Sequence, residues 1–330
     1  MRKFLVVLEQ REGVVLSRSA EVWKDAQRIA CECGDAEVVG VVAVPAGING
    51  LESQLEGNGR LFVVEDERFA SPRPDLLLDA VEGVLLKVDA ECVFMLHSSS
   101  GADLGPELAV RLEAGLASDA LDLRMEDGEI VADALLYAGG VRGRYRLETL
   151  RKIFTLRPGS GAGAGGSFEG NPIVEAVSLP EQPGVSGMLG VLVEELVAHG
   201  EAGDIGEAEI ILAGGRGMGG PEGFSMLESI AVLLGGRVGA SRSAVDEGWR
   251  PHAEQIGQTG RTVAPRLYIA CGISGAVQHL AGIGGAGTIV ALNSDPDAPI
   301  FAAADYGLVG DVHEVLPRLQ DLLEERMGKK

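Results

Sequence analysis

The turns GGRGMGG (214–220), GASRS (239–243), IGQTG (256–260), GISGAVQH (272–279) and ALNSDPDAPIF (291–301) recur through residues 208–311, each beside a short apolar run. Runs of Val, Ile, Leu and Ala of this length are typical of buried parallel strands. Because the turns that follow parallel strands meet at one edge of the sheet, we expect them to line a single ligand site. Backbone N–H groups, hydroxyls and guanidinium groups suit a diphosphate, and the set lacks an obvious nucleophile with a base beside it.

The composition is that of an acidic globular chain. Its 330 residues, of which 46% are hydrophobic, suffice for two domains with a core each. The net charge of −21 argues against nucleic acid and anionic membrane surfaces as partners. Residues 210–292 differ, because six arginines and five acids give this stretch a balance of +1 without any lysine. A local excess of this kind is what a pocket for a dianionic group requires.

The cysteines predict neither a metal site nor a disulfide framework. Cys31, Cys33, Cys92 and Cys271 are scattered, and the close pair is a C-x-C at a predicted helix end. The apolar start KFLVVLE (3–9) lacks a charged leader and is too short to span a bilayer. We therefore expect no signal peptide, no membrane insertion and a cytoplasmic location.

The chain is predicted to form two α/β domains joined by a glycine-rich connection. Apolar runs alternate with helix-like segments over residues 1–158, among them SSSGADLGPELA (98–109), which is interpreted as a polar turn feeding a helix with Pro106 near its first turn. The stretch GSGAGAGGSFEGNP has no periodicity, so a flexible linker is placed at 159–183. The second domain, 184–330, begins with a helix at MLGVLVEELVAHG (188–200) and repeats the alternation, with helices on both faces of a parallel sheet.

One glycine pattern is typical of dinucleotide-binding sites. G-x-G-x-x-G occurs three times, but only the copy at Gly215, Gly217 and Gly220 lies between a predicted strand and a predicted helix. The acidic residue that an NAD site needs at the end of the next strand is missing. Arg242, which follows that strand, leaves an NADP site as an alternative.

A hydrolytic reading of the serine-containing turn is disfavoured. A serine elbow needs G-x-S-x-G, whereas GISGA carries its glycine one position early, so Ser274 and His279 do not match it. His279 falls one turn beyond GISG, where its ring can reach the same edge as Ser274. Trp249 and Tyr268 are interpreted as packing residues.

Read in order, these segments closely resemble the alpha subunit of electron transfer flavoproteins. GGRG (214–217), GASRSAVDEGW (239–249), the run from QIGQTG to QHLAG (255–282) and IVALNSDPDAPIFAAADYGLVGD (289–311) match the carboxy-terminal signature of that family. YAGG (137–140) and TLRP (155–158) extend the likeness into the first half. The resemblance implies an α/β fold with two domains, an N-terminal nucleotide-hydrolase-like α/β domain and a C-terminal Rossmann-like parallel-sheet FAD-binding domain.

The resemblance also implies a set of FAD-contacting residues. Thr259 would offer its hydroxyl to the flavin N5, His279 would lie near the pyrimidine O2, Arg242 would lie beside the isoalloxazine, and Asn293 and Asp311 would serve the adenosine end. The full implied set is Arg216, Ser241, Arg242, Ile256, Gly257, Gln258, Thr259, Ser274, Gly275, Ala276, Val277, Gln278, His279, Asn293, Asp311 and Val312.

The function that the resemblance implies is electron carriage in a heterodimer. A homologous beta subunit would hold AMP or a second FAD, while the N-terminal domain of the alpha subunit would serve the subunit interface. Single electrons would pass from flavoprotein dehydrogenases, such as the acyl-CoA dehydrogenases of fatty acid beta-oxidation, to a membrane quinone-linked oxidoreductase. Two alternatives stay open: an electron-bifurcating complex that oxidises NADH, and an NADP-binding oxidoreductase.

Overall fold

A computed structural model describes residues 1–70, 73–136, 141–159, 167–179 and 205–327 of the chain. The chain divides into two compact units, Met1–Ala198 and His199–Lys330, called here the N-terminal and C-terminal units. The helix that the sequence predicts at 188–200 lies outside the described residues. Among the residues described, no helix is both long enough and apolar enough to cross a bilayer.

The N-terminal unit is built on one nine-stranded sheet. Its order is β11-β5-β4-β1-β6-β10-β7-β8-β9, parallel from β11 to β7 and antiparallel from β7 to β9. The elements are β1 Arg2–Leu8, β2 Gln10–Arg11, β3 Val14–Val15, α1 Ser17–Cys33, β4 Ala36–Val44, β5 Arg60–Glu65, α2 Pro74–Val88, β6 Cys92–Leu96, α3 Ser99–Arg111, β7 Gly115–Glu126, β8 Glu129–Leu136, β9 Val141–Arg146, β10 Lys152–Leu156 and β11 Ile173–Val177.

The centre of this sheet is apolar on both faces, as expected of parallel strands covered by helices. Every residue of β6 and β10 is buried. Phe94 in β6 stacks on Phe154 in β10 with ring centroids 5.5 Å apart, and the ring of Phe4 meets Phe94 edge to face. Aromatic contacts of this geometry add about 0.5–1.5 kcal/mol each to the area they bury.

The predicted linker at 159–183 contains a strand. Residues 173–177 form β11, which pairs in parallel with β5 through the whole of its length and closes the edge of the N-terminal sheet. Asn171 is also fixed, because its side chain donates hydrogen bonds to the carbonyls of Glu52 and Leu55. This part of the segment therefore belongs to the N-terminal unit, and the interpretation of the whole range as a flexible connection is wrong there.

The C-terminal unit is built on a five-stranded parallel sheet of order β13-β12-β14-β15-β16. The chain runs outward from β12 to β13 and then returns to the other side of β12, so the strand order reverses between β12 and β14. Its elements are β12 Ile210–Gly214, α4 Pro221–Leu234, β13 Arg237–Ala240, α5 Arg242–Asp246, β14 Leu267–Cys271, α6 Val277–Ala281, β15 Ile289–Asn293, α7 Ile300–Ala303, β16 Tyr306–Val309 and α8 Val312–Met327.

Alternating residues of these strands pack into two separate apolar clusters, one on each face of the sheet. Ile269 and Cys271 pack on the face covered by α4 and α8. Tyr268 and Ala270 pack on the opposite face, where they meet Ile256 and other residues of the connecting segments. The predicted α/β fold class, with a parallel sheet in the second domain, is therefore confirmed.

Candidate functional site

The small-residue turns of the C-terminal unit gather at one edge of its sheet. Because all five strands are parallel, the residues that follow β12, β13, β14, β15 and β16 share the carboxyl edge. In open α/β sheets, ligands bind outside this edge where the strand order reverses. The reversal between β12 and β14 places the turns 215–220 and 272–276 at that point.

Glycine allows these two turns to touch through their backbones. The amide of Gly215 donates to the carbonyl of Cys271 at 2.9 Å, and the amide of Gly217 donates to the carbonyl of Gly272 at 3.0 Å. A Cβ added to Gly215 would lie 2.3 Å from the carbonyl oxygen of Gly272. No side chain other than hydrogen fits there, so glycine holds backbone at the rim of the crevice.

Gly275 keeps the turn after β14 in close contact with α7. It has a positive φ of +83°, and an added Cβ would lie 2.3 Å from the amide nitrogen of Ile300. That amide donates to the carbonyl of Ser274 at 3.0 Å. The arrangement leaves Ser274, Ala276, Val277 and Gln278 exposed along the rim.

The segment 255–261 reaches the edge without following a strand. The amide of Ile256 donates to the carbonyl of Ala240, and the amide of Gln258 donates to the carbonyl of Gln278 at 2.8 Å. The buried side chain of Gln255 donates from Nε2 to the hydroxyl oxygen of Thr259 at 3.0 Å. Thr259 itself is exposed, so its hydroxyl is held in place beside the turn 272–279.

The arginines of the C-terminal unit are not equally placed. Arg216, after β12, is exposed, and Arg242, after β13, is 68% exposed and reaches Asp246 at 3.3 Å. Arg250 instead pairs with Glu228 and Glu254 and lies over the ring of Phe224. This guanidinium therefore serves packing and neutralises acids of the same stretch, so the charge balance of +1 does not itself say which charges face the edge.

The last two strands contribute an amide and a carboxylate to the edge. Asn293 ends β15, and its Nδ2 donates to the carbonyl of Ile273 at 2.8 Å. Asp311 precedes α8, and its Oδ1 accepts the amide of His313 at 2.8 Å, as a helix cap does. Val312 is buried beneath it as the first residue of that helix.

His279 has a buried partner that sequence reasoning missed. The hydroxyl of Tyr268 lies 2.9 Å from the Nε2 of His279, and the two side chains are 0% and 7% exposed. Burial lowers the pKa of His279 to about 4, so the ring is neutral at pH 7. Its Nδ1 atom is buried and has no hydrogen-bond partner in the described part of the chain.

The structure places the turn residues of the implied set at the carboxyl edge, while the side chains of Ile256, His279 and Val312 are buried, and two residues outside the set support them. Gln255 holds Thr259, and Tyr268 holds His279. The available signal for both was a polar group placed next to apolar neighbours, in EQI and in LYIAC. Over the described residues, no cluster of three or more His, Cys, Asp and Glu suits a metal ion.

Comparison with known proteins identifies the family. The family model described as electron transfer flavoprotein domain matches residues 4–181, and the one described as electron transfer flavoprotein FAD-binding domain matches residues 204–284. The second match contains β12 to α6, with the turns that meet at the reversal of strand order.

Curated relatives agree over nearly the whole length. The electron transfer flavoprotein subunit alpha of Bacillus subtilis strain 168 is 36% identical over 323 residues, 97% of each chain. That of Thermoanaerobacterium thermosaccharolyticum is 36% identical over 95% of each chain. That of Mycobacterium leprae is 35% identical over 99% of this chain and 100% of its own. The chain therefore belongs to the electron transfer flavoprotein alpha subunit family.

Proposed function

We propose that this chain binds FAD at the carboxyl edge of its C-terminal sheet and carries single electrons as the alpha subunit of a heterodimer with a beta subunit. The observation that carries the proposal is the glycine-lined meeting of the turns after β12 and β14 at the reversal of strand order. Glycine brings the two turns together with no side chain between them, which leaves room for a diphosphate beside the exposed residues of the rim.

The donors around that backbone suit the remaining parts of FAD. Arg216 and Ser274 would serve the diphosphate, while Thr259 and Arg242 would face the isoalloxazine and Asn293 the adenosine. The buried Nδ1 of His279 lacks a partner, the state expected of a group whose partner arrives with a ligand. The sixteen residues implied by the resemblance are proposed as the contact set. FAD supplies the redox chemistry, and the protein supplies binding and electrostatics.

Hydrolysis receives less support from the same residues. A serine nucleophile needs a base that can take its proton. The Nε2 of His279 is occupied by Tyr268, and the low pKa of His279 makes it a weak base. An NADP site receives little support beyond Arg242, which is the cation that follows β13.

The proposed partners follow from the family. The beta subunit would hold AMP or a second FAD, the donors would be flavoprotein dehydrogenases, including those that act on acyl-CoA, and the acceptor would be a quinone-linked oxidoreductase. The second candidate function is the bifurcating type, which oxidises NADH. Two FAD molecules per heterodimer would favour it, and one FAD with one AMP would favour the single-electron carrier.

The experiment compares Arg242→Ala with Arg237→Ala in the complex purified with its beta subunit. Both arginines belong to the β13 region, but Arg237 begins the strand, at the opposite edge from the site. We expect Arg242→Ala to lower the potential of the first one-electron step by about 40 mV, because an exposed cation contributes about 1 kcal/mol. We expect Arg237→Ala to leave that potential unchanged.

The readout is a stepwise redox titration followed by visible absorption, with FAD counted after release from the protein. A wild-type complex that contains no FAD would end the proposal. Equal potentials for the two variants would show that Arg242 does not lie beside the flavin.

A further inference from the structure

Tyr268 makes its side-chain hydrogen bond with a residue of the site, His279. Its side chain is fully buried in β14, on the face of the sheet that carries Ile256, and its hydroxyl oxygen lies 2.9 Å from the Nε2 of His279. The inference developed from this contact rests on the proposed function, because it concerns how His279 meets the cofactor.

The contact, together with a cofactor acceptor at Nδ1, favours one placement of the ring proton of His279. His279 is the hydrogen-bond partner that the described chain gives the Tyr268 hydroxyl. If Nε2 were the donor, the hydroxyl proton of Tyr268 would be buried without an acceptor, and such a group costs about 1–3 kcal/mol. If the hydroxyl of Tyr268 donates instead, its proton has an acceptor in Nε2. The proton of the neutral ring then lies on Nδ1.

The surroundings keep the ring uncharged. The groups packed on it come from β14, from α6 and from the segment at Ile256, and Tyr268 is the titratable side chain in contact among the described residues. Cys271 is the next titratable group along β14, and burial raises the pKa of its thiol to about 12, so it is neutral as well. Burial lowers the pKa of His279, and the backbone of Ile256 offsets only part of that effect. No charged side chain within the described ranges faces the ring to favour the imidazolium.

We propose that Tyr268 is a positioning residue that holds His279 as a neutral imidazole with its proton on Nδ1, and that this N–H is a dipolar donor for an acceptor oxygen of the cofactor. The carbonyl of Ile256 lies near enough to His279 to raise its pKa, but within the described chain no acceptor meets hydrogen-bond geometry at Nδ1. A neutral donor stabilises negative charge on a ligand without adding a full positive charge to the site. The positive charge at the edge then comes from Arg216 and Arg242, and not from this histidine.

The first test reads the tautomer of His279 directly. The chain has five histidines, so labelling its histidines with nitrogen-15 before assembly with an unlabelled beta subunit gives few ring signals, and His279→Gln assigns the one of interest. We expect ring nitrogen shifts of a neutral, Nδ1-protonated imidazole that do not change between pH 8 and about pH 5.5. Shifts of an imidazolium at pH 7, or of an Nε2-protonated ring, would overturn the proposal.

The second test removes the hydroxyl with Tyr268→Phe and uses Tyr306→Phe as the control. Tyr306 is an exposed tyrosine on β16 of the same sheet. We expect Tyr268→Phe to populate a second ring form of His279 in the cofactor-free complex, because the hydroxyl no longer holds one tautomer, and to raise the dissociation constant of FAD about tenfold. We expect Tyr306→Phe to change neither.

The outcomes separate this inference from the proposed function. A complex without FAD would remove the proposed function, while the tautomer could still be read in the same cofactor-free complex. Because the first test uses wild type, a Tyr268→Phe chain that fails to fold leaves the proposal open to contradiction. Unchanged ring signals of His279 in a folded, cofactor-free Tyr268→Phe complex, together with an unchanged dissociation constant for FAD, would overturn it.

Discussion

His279 makes the C-terminal unit sensitive to acid. Its pKa is lowered to about 4 by burial, while an unfolded histidine titrates near 6.5. The unfolded state therefore binds the proton first, so the free energy of unfolding falls as the pH falls from about 6.5 to about 4, by about 3 kcal/mol in total. Above pH 7 the contribution does not change.

The measurement is hydrogen exchange of the β14 amides as a function of pH, in wild type and in His279→Gln. A local readout is needed because protonation of Asp25, in the N-terminal unit, changes the free energy of unfolding in the opposite direction. Burial raises the pKa of Asp25 to about 7, so that group favours folding more as the pH falls from about 7 to about 4. Equal pH dependence in wild type and His279→Gln would contradict the assignment to His279.

At the residue scale, the sequence predicted which functional groups belong to the candidate site better than it predicted the side chains that surround them. The resemblance named the hydroxyl of Thr259 and the imidazole of His279, but it did not name the side chains that support them. Tyr268 was interpreted as a packing residue, which is correct for its ring and incomplete for its hydroxyl. Which strand residue lies under which helix residue depends on sheet register, and register is set by packing that a single sequence does not display.

The turn after β14 depends on glycine at the element scale. Gly275→Ala would place a Cβ against the backbone of Ile300 and also strain a residue with φ of +83°. Gly235→Ala is the matched control, because Gly235 has φ of +67° and nothing within 4 Å of the added Cβ. We expect about 1 kcal/mol of lost stability for the control and about 3 kcal/mol for Gly275→Ala.

Denaturant unfolding and FAD retention check this expectation. If the turn shapes the cofactor site, Gly275→Ala should lose FAD on dialysis while Gly235→Ala retains it. Similar stability losses and equal FAD content in the two variants would mean that the close approach to α7 does not matter.

Elements bounded by clear apolar runs were predicted, and elements whose signals conflict were not. The strands EIILA, LYIAC and IVALN occur where the runs place them. Residues 99–105 were interpreted as a polar turn, yet α3 begins at Ser99 with the hydroxyl of Ser98 accepting the amide of Gly101, and Pro106 lies inside the helix. Residues 173–177 follow a glycine-rich stretch, yet they complete a sheet edge, because β5 offers an open row of backbone groups there.

At the scale of the whole molecule, charge and topology act together. The chain carries a net charge of −21, but the carboxyl edge of the C-terminal sheet presents Arg216 and Arg242 beside glycine backbone. The strand order reverses between β12 and β14 at that edge, and the match to the FAD-binding family model covers both strands. The surface as a whole disfavours polyanions, while we expect this edge to accept the diphosphate of the proposed FAD.

The most direct test of this account is a crystal structure of the chain in complex with its beta subunit. We predict FAD density at the carboxyl edge of the C-terminal sheet, with the diphosphate beside the turns 214–217 and 272–276 and the isoalloxazine near Thr259. A crevice filled by a nicotinamide dinucleotide, or FAD bound elsewhere in the complex, would contradict it.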